Sequence, residues 1–91
     1  MRFEWDREKA AANLKKHGVS FDEAVTVFFD PLSATFDDPD HSEDETRLIT
    51  VGYSAQNRLL VVCHTERRGV LRVFSARRAT RGERKRHEKH D

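Results

Sequence analysis

Apolar and polar positions alternate at the start of the chain, in Phe3-Glu4-Trp5, and predict a short first strand. It gives way at Asp6, whose side chain suits the start of a helix. The Ala10-Ala11-Ala12 run, Lys15 and Lys16 near the far end, and Gly18 just past it predict a helix from Arg7 to His17. Ser20-Phe21-Asp22-Glu23 has the S-x-x-E pattern in which both side chains satisfy exposed backbone donors, so a second helix is expected at once. Phe21, Ala24, Val25 and Phe28 recur at helical spacing and give it one apolar face, until Asp30-Pro31 ends it. Leu32 to Phe36 reads as an edge strand, and residues 37–45 as an exposed acidic loop. Three runs rich in Val, Leu, Ile and Phe follow: Arg47 to Ser54, Arg58 to Glu66 and Val70 to Arg77. Turn residues at Ala55-Gln56-Asn57 and Arg67-Arg68-Gly69 join them into an antiparallel meander. Thr80-Arg81-Gly82-Glu83 repeats the capping pattern and opens a short basic helix through Arg84, Lys85, Arg86 and His87. The order predicts an α+β fold: a short strand, two helices covering one sheet face, an antiparallel sheet of three to four further strands, and a C-terminal helix.

Composition narrows the class. With 91 residues, 36% of them hydrophobic, the chain is long enough for one modest core, so residues 1–91 are expected to form a single domain. One cysteine, Cys63, leaves no internal disulfide, and the charged opening Met1-Arg2-Phe3-Glu4-Trp5-Asp6 is unlike a secretory leader, which together predict a cytoplasmic protein. The longest apolar run, Leu59-Leu60-Val61-Val62-Cys63, is far short of the ~20 residues that cross a bilayer, and no membrane partner is expected. The net charge of +1 conceals a division. Residues 1–45 hold 5 Lys and Arg against 12 Asp and Glu, a balance of −7, whereas residues 46–91 hold 12 against 4, a balance of +8. A basic half suits a polyanion, because each phosphate it neutralises releases condensed counterions.

Several spaced combinations run through the chain in order. Phe3-Glu4-Trp5-Asp6 leads to Lys9-Ala10, Asn13, Lys16-His17-Gly18-Val19-Ser20-Phe21 and Glu23-Ala24. Val27-Phe28 and Asp30-Pro31 come next, followed by Asp40-His41-Ser42, Arg47, Gly52, Ser54 and Leu60-Val61-Val62. Ser75-Ala76-Arg77, Ala79-Thr80 and Glu83-Arg84 close the series. In this the chain resembles the BrnT family of toxins over nearly its whole length. The resemblance implies a RelE-like fold and an endoribonuclease activity that slows growth. It also implies neutralisation by a cognate BrnA-like antitoxin, through which alone the pair would reach promoter DNA. RNA cleavage in the wider RelE-like group commonly needs no metal, so no cofactor is expected. Where the family usually has a tyrosine in the last helix, this chain has His87.

Cutting RNA through its own 2′-hydroxyl requires a base, an acid and cations for the charged intermediate. Arginine suits the last role, since its planar fork pairs bidentately with phosphate and stays charged. Arg67, Arg72 and Arg77 are the candidates at the scissile phosphate, with Arg68, Arg78, Arg81 and Arg84 as further RNA contacts. Histidine is the natural proton carrier near neutrality, and His64 and His87 are the candidates. His64, however, is an odd number of strand positions from Arg67, which sends the two to opposite faces unless the chain turns between them. His17 reads as a helix C-terminal residue, and His41 lies among carboxylates that repel RNA. Glu83 has a capping purpose independent of any reaction, and Glu66 is a base or an ion-pair partner. Cys63 in the most apolar strand reads as a small packing residue, and Trp5, Phe21 and Phe28 as core, whereas Phe74 is open to either packing or base stacking. The histidines are too scattered for a metal cluster, and no glycine-rich phosphate loop is present. The competing reading is a non-enzymatic protein that binds nucleic acid through phosphates or sequesters a protein partner.

Overall fold

The computed structural model describes residues 2–38 and 46–89. Strand β1 (Arg2–Trp5) is followed by helix α1 (Arg7–His17), then α2 (Phe21–Val25), which tightens into a 3₁₀ turn over Thr26–Phe29. Strands β2 (Ala34–Asp37), β3 (Leu48–Tyr53), β4 (Leu59–Arg67) and β5 (Val70–Arg78) come next, and α3 (Arg81–Lys89) closes the chain. The edge strand thus begins two residues later than the hydrophobic pattern predicts. The acidic stretch with His41 and the Asp40-His41-Ser42 motif lies outside the described residues but for its first two positions.

All five strands form one sheet in the order β1-β5-β4-β3-β2. From β2 to β5 it is an antiparallel meander, as expected, but β1 runs parallel to β5, with Arg2 opposite Val70 and Trp5 opposite Val73, which makes the sheet mixed. The connection from β1 passes through both helices before the meander begins, so β1 meets the last strand rather than the next one. At the β4–β5 hairpin, Arg68 and Gly69 both have positive φ, 54° and 79°, a combination whose twist matches that of the flanking strands.

The two sheet faces differ. One packs under α1 and α2 around Val19, Phe21, Ala24, Val27, Leu60, Val62, Leu71, Val73 and Ala76, with Trp5 edge-on to Phe21. Phe21, Trp5 and Phe28 therefore serve the core, as their spacing predicts. Val51, Leu59 and Val61 form a smaller cluster, with Ile49, Tyr53 and Ala79 around it. Strand alternation puts these on the opposite face from Leu60 and Val62.

Side chains hold the helices in place. Asp6 accepts from the N–H groups of Glu8 and Lys9, as predicted, and α1 ends at Gly18. Ser20 caps α2 by accepting from Glu23 N–H, but Glu23 does not complete the box. Its carboxylate instead accepts from Ser54 Oγ at 2.7 Å and is forked by Arg58, which also donates to the Gly18 carbonyl. Arg58 beside it holds the Glu23 carboxyl below its ordinary pKa. Asn13 does something that no helix pattern announces. Beyond the end of β1 its amide takes the place of a missing strand, donating to the Ala76 carbonyl at 2.8 Å and accepting from Ala76 N–H at 3.1 Å.

Candidate active groove

The second face of the sheet holds a groove of about 700 Å³. Ile49, Val51 and Val61 form its floor, the segment from Pro31 to Ala34 with Phe36 one wall, and Arg77, Glu83, Arg86 and His87 the other. Each part is placed by a local cause. Asp30 accepts from Tyr53 N–H at 2.8 Å and Leu32 N–H at 3.0 Å, which staples the first wall to the end of β3. That wall passes so close to Gly52 that a Cβ there would lie 2.8 Å from Ser33 Cβ and 2.9 Å from Val27 Cγ1.

On β5, Arg77 pairs across to Val61, so its side chain shares the face of the groove floor, while neighbouring Ala76 points into the main core. In α3, Glu83, Arg86 and His87 follow helical i, i+3, i+4 spacing and share one side. Thr80 and Glu83 complete the capping box predicted for this helix, with Glu83 Oε1 accepting from Thr80 N–H at 2.8 Å and Thr80 Oγ1 from Glu83 N–H at 3.2 Å. The same carboxylate is gripped bidentately by Arg77, both bonds 2.8 Å. Arg77 draws the Glu83 carboxyl down to about 2, and the pair raises the arginine in turn. His87 is 92% buried, edge-on to Tyr53 with ring centres 6.0 Å apart, and its Nε2 has no hydrogen-bond partner among the described residues.

The other predicted site residues are dispersed. Arg67 pairs with Val70 at one end of β5 and Arg77 stands near the other, seven residues or roughly 23 Å away. They cannot grip one phosphate, and the expected convergence of Arg67, Arg72 and Arg77 is corrected accordingly. Arg67 and Arg68 sit exposed at the hairpin. Arg72 shares the groove's sheet face but lies some five residues along β5, tied to Glu4 at 3.3 Å. His64 is removed from the surface altogether. It is 3% exposed on the helix-covered side, hydrogen-bonded to Thr50 Oγ1 at 2.7 Å and edge-on to Phe28. Burial pushes its imidazole down to about 4, so it stays neutral and acts as a packing residue. Arg78 is exposed, opposite Leu60 and thus off the groove face, while Arg81 and Arg84 lie on α3 outside the groove lining. Glu66 is exposed at the end of β4. Among the described residues no three His, Cys, Asp or Glu side chains are grouped so as to hold a metal ion.

Two features escaped the sequence reading. Arg86 was visible as part of a basic helix, and its place three residues after Glu83 was the signal for a shared face. The apolar wall from Pro31 to Phe36 left no signal, since its exposed Leu32 and Phe36 look like ordinary edge-strand residues.

A mixed sheet with a helix pair on one face, and on the other a groove edged by cations, invites comparison with known proteins. Residues 5–83 match the family model described as the ribonuclease toxin, BrnT, of type II toxin-antitoxin systems. The class is therefore that of ribonuclease toxins. The chain belongs to the BrnT family. Its fold is similar to the crystal structure, at 1.1 Å resolution, of the Brucella abortus ribonuclease toxin BrnT, with a TM-score of 0.70 and 23% identity over 89% of this chain and 99% of that one. No curated protein matches the chain. Family membership brings with it an RNA substrate and a cognate antitoxin. No helix among the described residues is long and apolar enough to cross a membrane.

Proposed function

We propose that the groove cuts RNA internally by attack of a 2′-hydroxyl on its own phosphodiester. The new bond joins phosphorus to O2′ and the bond to O5′ breaks, leaving a 2′,3′-cyclic phosphate and a free 5′-hydroxyl. The observation that carries this reading is the shared concave surface of Arg77, Arg86 and His87 beside an apolar floor. The two guanidiniums meet the negative charge that grows on the phosphoryl oxygens, where preorganised donors help the rate most. His87 takes the proton of the 2′-hydroxyl, and the leaving O5′ picks up its proton from water. Glu83 fixes the direction in which Arg77 points. This step draws on no metal. Arg72, Arg67 and Arg68, with Arg81 and Arg84 beyond the groove lining, hold the rest of the strand through its phosphates. A BrnA-like antitoxin silences the enzyme in the cytoplasm, and the pair reaches promoter DNA through the antitoxin.

The test is cleavage of a long RNA by the purified chain, with and without EDTA, and analysis of the product ends. Cyclic phosphate ends, indifference to EDTA and a loss of about 10²- to 10³-fold in rate for Arg77→Ala are expected. His87→Ala should remove one limb of the pH–rate profile. Full activity of the Arg77 variant, or cutting abolished by EDTA, overturns the mechanism. RNA binding without any cut product would instead favour the purely binding role.

A further inference from the structure

Strand β5 carries an irregularity that neither the core nor the groove wall uses. Cys63 pairs with Ser75 and His64 with Val73, so Phe74 is an extra residue with no partner in β4. Such a bulge re-aims a side chain, and bulges are over-represented beside active sites. Phe74 belongs to neither apolar cluster. Two cations meet its ring instead, Arg47 Cζ from just before β3 at 4.2 Å and Lys9 Nζ from α1 at 5.5 Å from the centre. Arg47 precedes Leu48, whose partner His64 faces the helices, so alternation turns Arg47 to the groove's side of the sheet. Phe74 lies under it, between Arg72 and Arg77 along β5 and roughly 10 Å from Arg77, and Lys9 reaches the same ring from α1.

From this juxtaposition we infer that Phe74 and Arg47 form a nucleobase platform, on which a base of the RNA strand bound at Arg77 stacks. The inference rests on the ribonuclease reading and adds to it a subsite for a base near the cut. An aromatic ring topped by a guanidinium plane is a surface on which bases stack, and cations on either side of it along the strand hold the adjoining phosphates. Arg72 and Arg77 are so placed. Cleavage preference would then come in part from Phe74 and Arg47, while Arg77 and His87 act at the bond whatever the base.

The experiment measures binding of a short mixed-sequence RNA, its 2′-hydroxyls methylated to prevent cutting, over a range of salt. Wild type is compared with Phe74→Leu, Phe74→Trp and Arg47→Lys, each checked by thermal melting. Loss of the ring or of the plane should weaken binding roughly five- to a hundredfold with the salt slope unchanged, since a stack rather than a phosphate contact is lost. Phe74→Trp should retain affinity. Should the Leu variant fail to fold, Arg47→Lys asks the same question with the charge kept. If wild type cuts RNA and Arg77→Ala does not, yet Phe74→Leu and Arg47→Lys bind as tightly as wild type, the platform is refuted and the ribonuclease reading stands. If wild type neither binds nor cuts RNA, both fall.

Discussion

Glu83 has two duties that pull on the same carboxylate. It accepts from Thr80 N–H at the start of α3 and from both terminal nitrogens of Arg77, so the guanidinium is aimed before any phosphate arrives. His64 shows the opposite use of a titratable side chain. Its neutral ring fills the core, with Thr50 Oγ1 at 2.7 Å and Thr35 Oγ1 2.7 Å further on. Because burial lowers its pKa from 6.5 to about 4, the unfolded chain binds the proton more readily than the native one. The contribution of the neutral ring to stability is fully present above the unfolded value and fades as pH falls from 6.5 towards 4. The loss at the acid end is on the order of 3 kcal/mol. Thermal unfolding across that window should show the melting temperature dropping with pH, and His64→Leu should flatten the curve; equal slopes for the two proteins would remove His64 as the cause.

At the scale of elements, α1 is the least obvious attachment. Asn13 is its buried residue, while Leu14 is 52% exposed, so the helix is joined to the sheet by an amide as much as by apolar packing. Replacing Asn13 by Ala would leave the Ala76 N–H and C=O buried without partners, and the Val19 carbonyl without its donor. A cost of about 2–4 kcal/mol is expected in urea unfolding, since each stranded group carries its own desolvation penalty. A change below about 0.5 kcal/mol, the size usual for a surface substitution, would mean that water replaces the amide. The contrast between Asn13 and the caps explains what was legible in the sequence. Asp6, Ser20 and the Thr80–Glu83 box act within three residues of themselves, and the sequence pattern located all of them. Glu23 fits the same pattern, yet its side chain turns to Arg58, 35 positions away, and Asn13 reaches across 63. Long-range partners of this kind have no periodic signature. The candidate site was legible in part for the same reason: Arg77 and His87 were identifiable as residue types, but only the register of β4 against β5 shows that Arg67 stands at the wrong end.

For the whole molecule, the charge division along the chain becomes a division of labour between the faces. The basic residues 46–91 supply the groove floor and its cationic wall, and the acidic first half supplies the helix pair behind the sheet. RNA affinity should therefore fall steeply with salt. Arg72→Ala and Arg86→Ala should each reduce the slope of log affinity against log salt by roughly 0.7, the value for one phosphate on a single strand. Filter binding of the methylated RNA over a salt series measures this, and unchanged slopes in both variants would place the RNA elsewhere.

The parallel pairing of β1 with β5 has a consequence for the order of synthesis. Residues 2 to 5 leave the ribosome well before the edge they dock on, which is not made until residues 70 to 73 have been translated. The part of the cationic wall that α3 supplies, Arg86 and His87, follows later still. Until β5 and α3 have both emerged, a nascent chain therefore carries an open sheet edge and no finished groove, and the two are completed together.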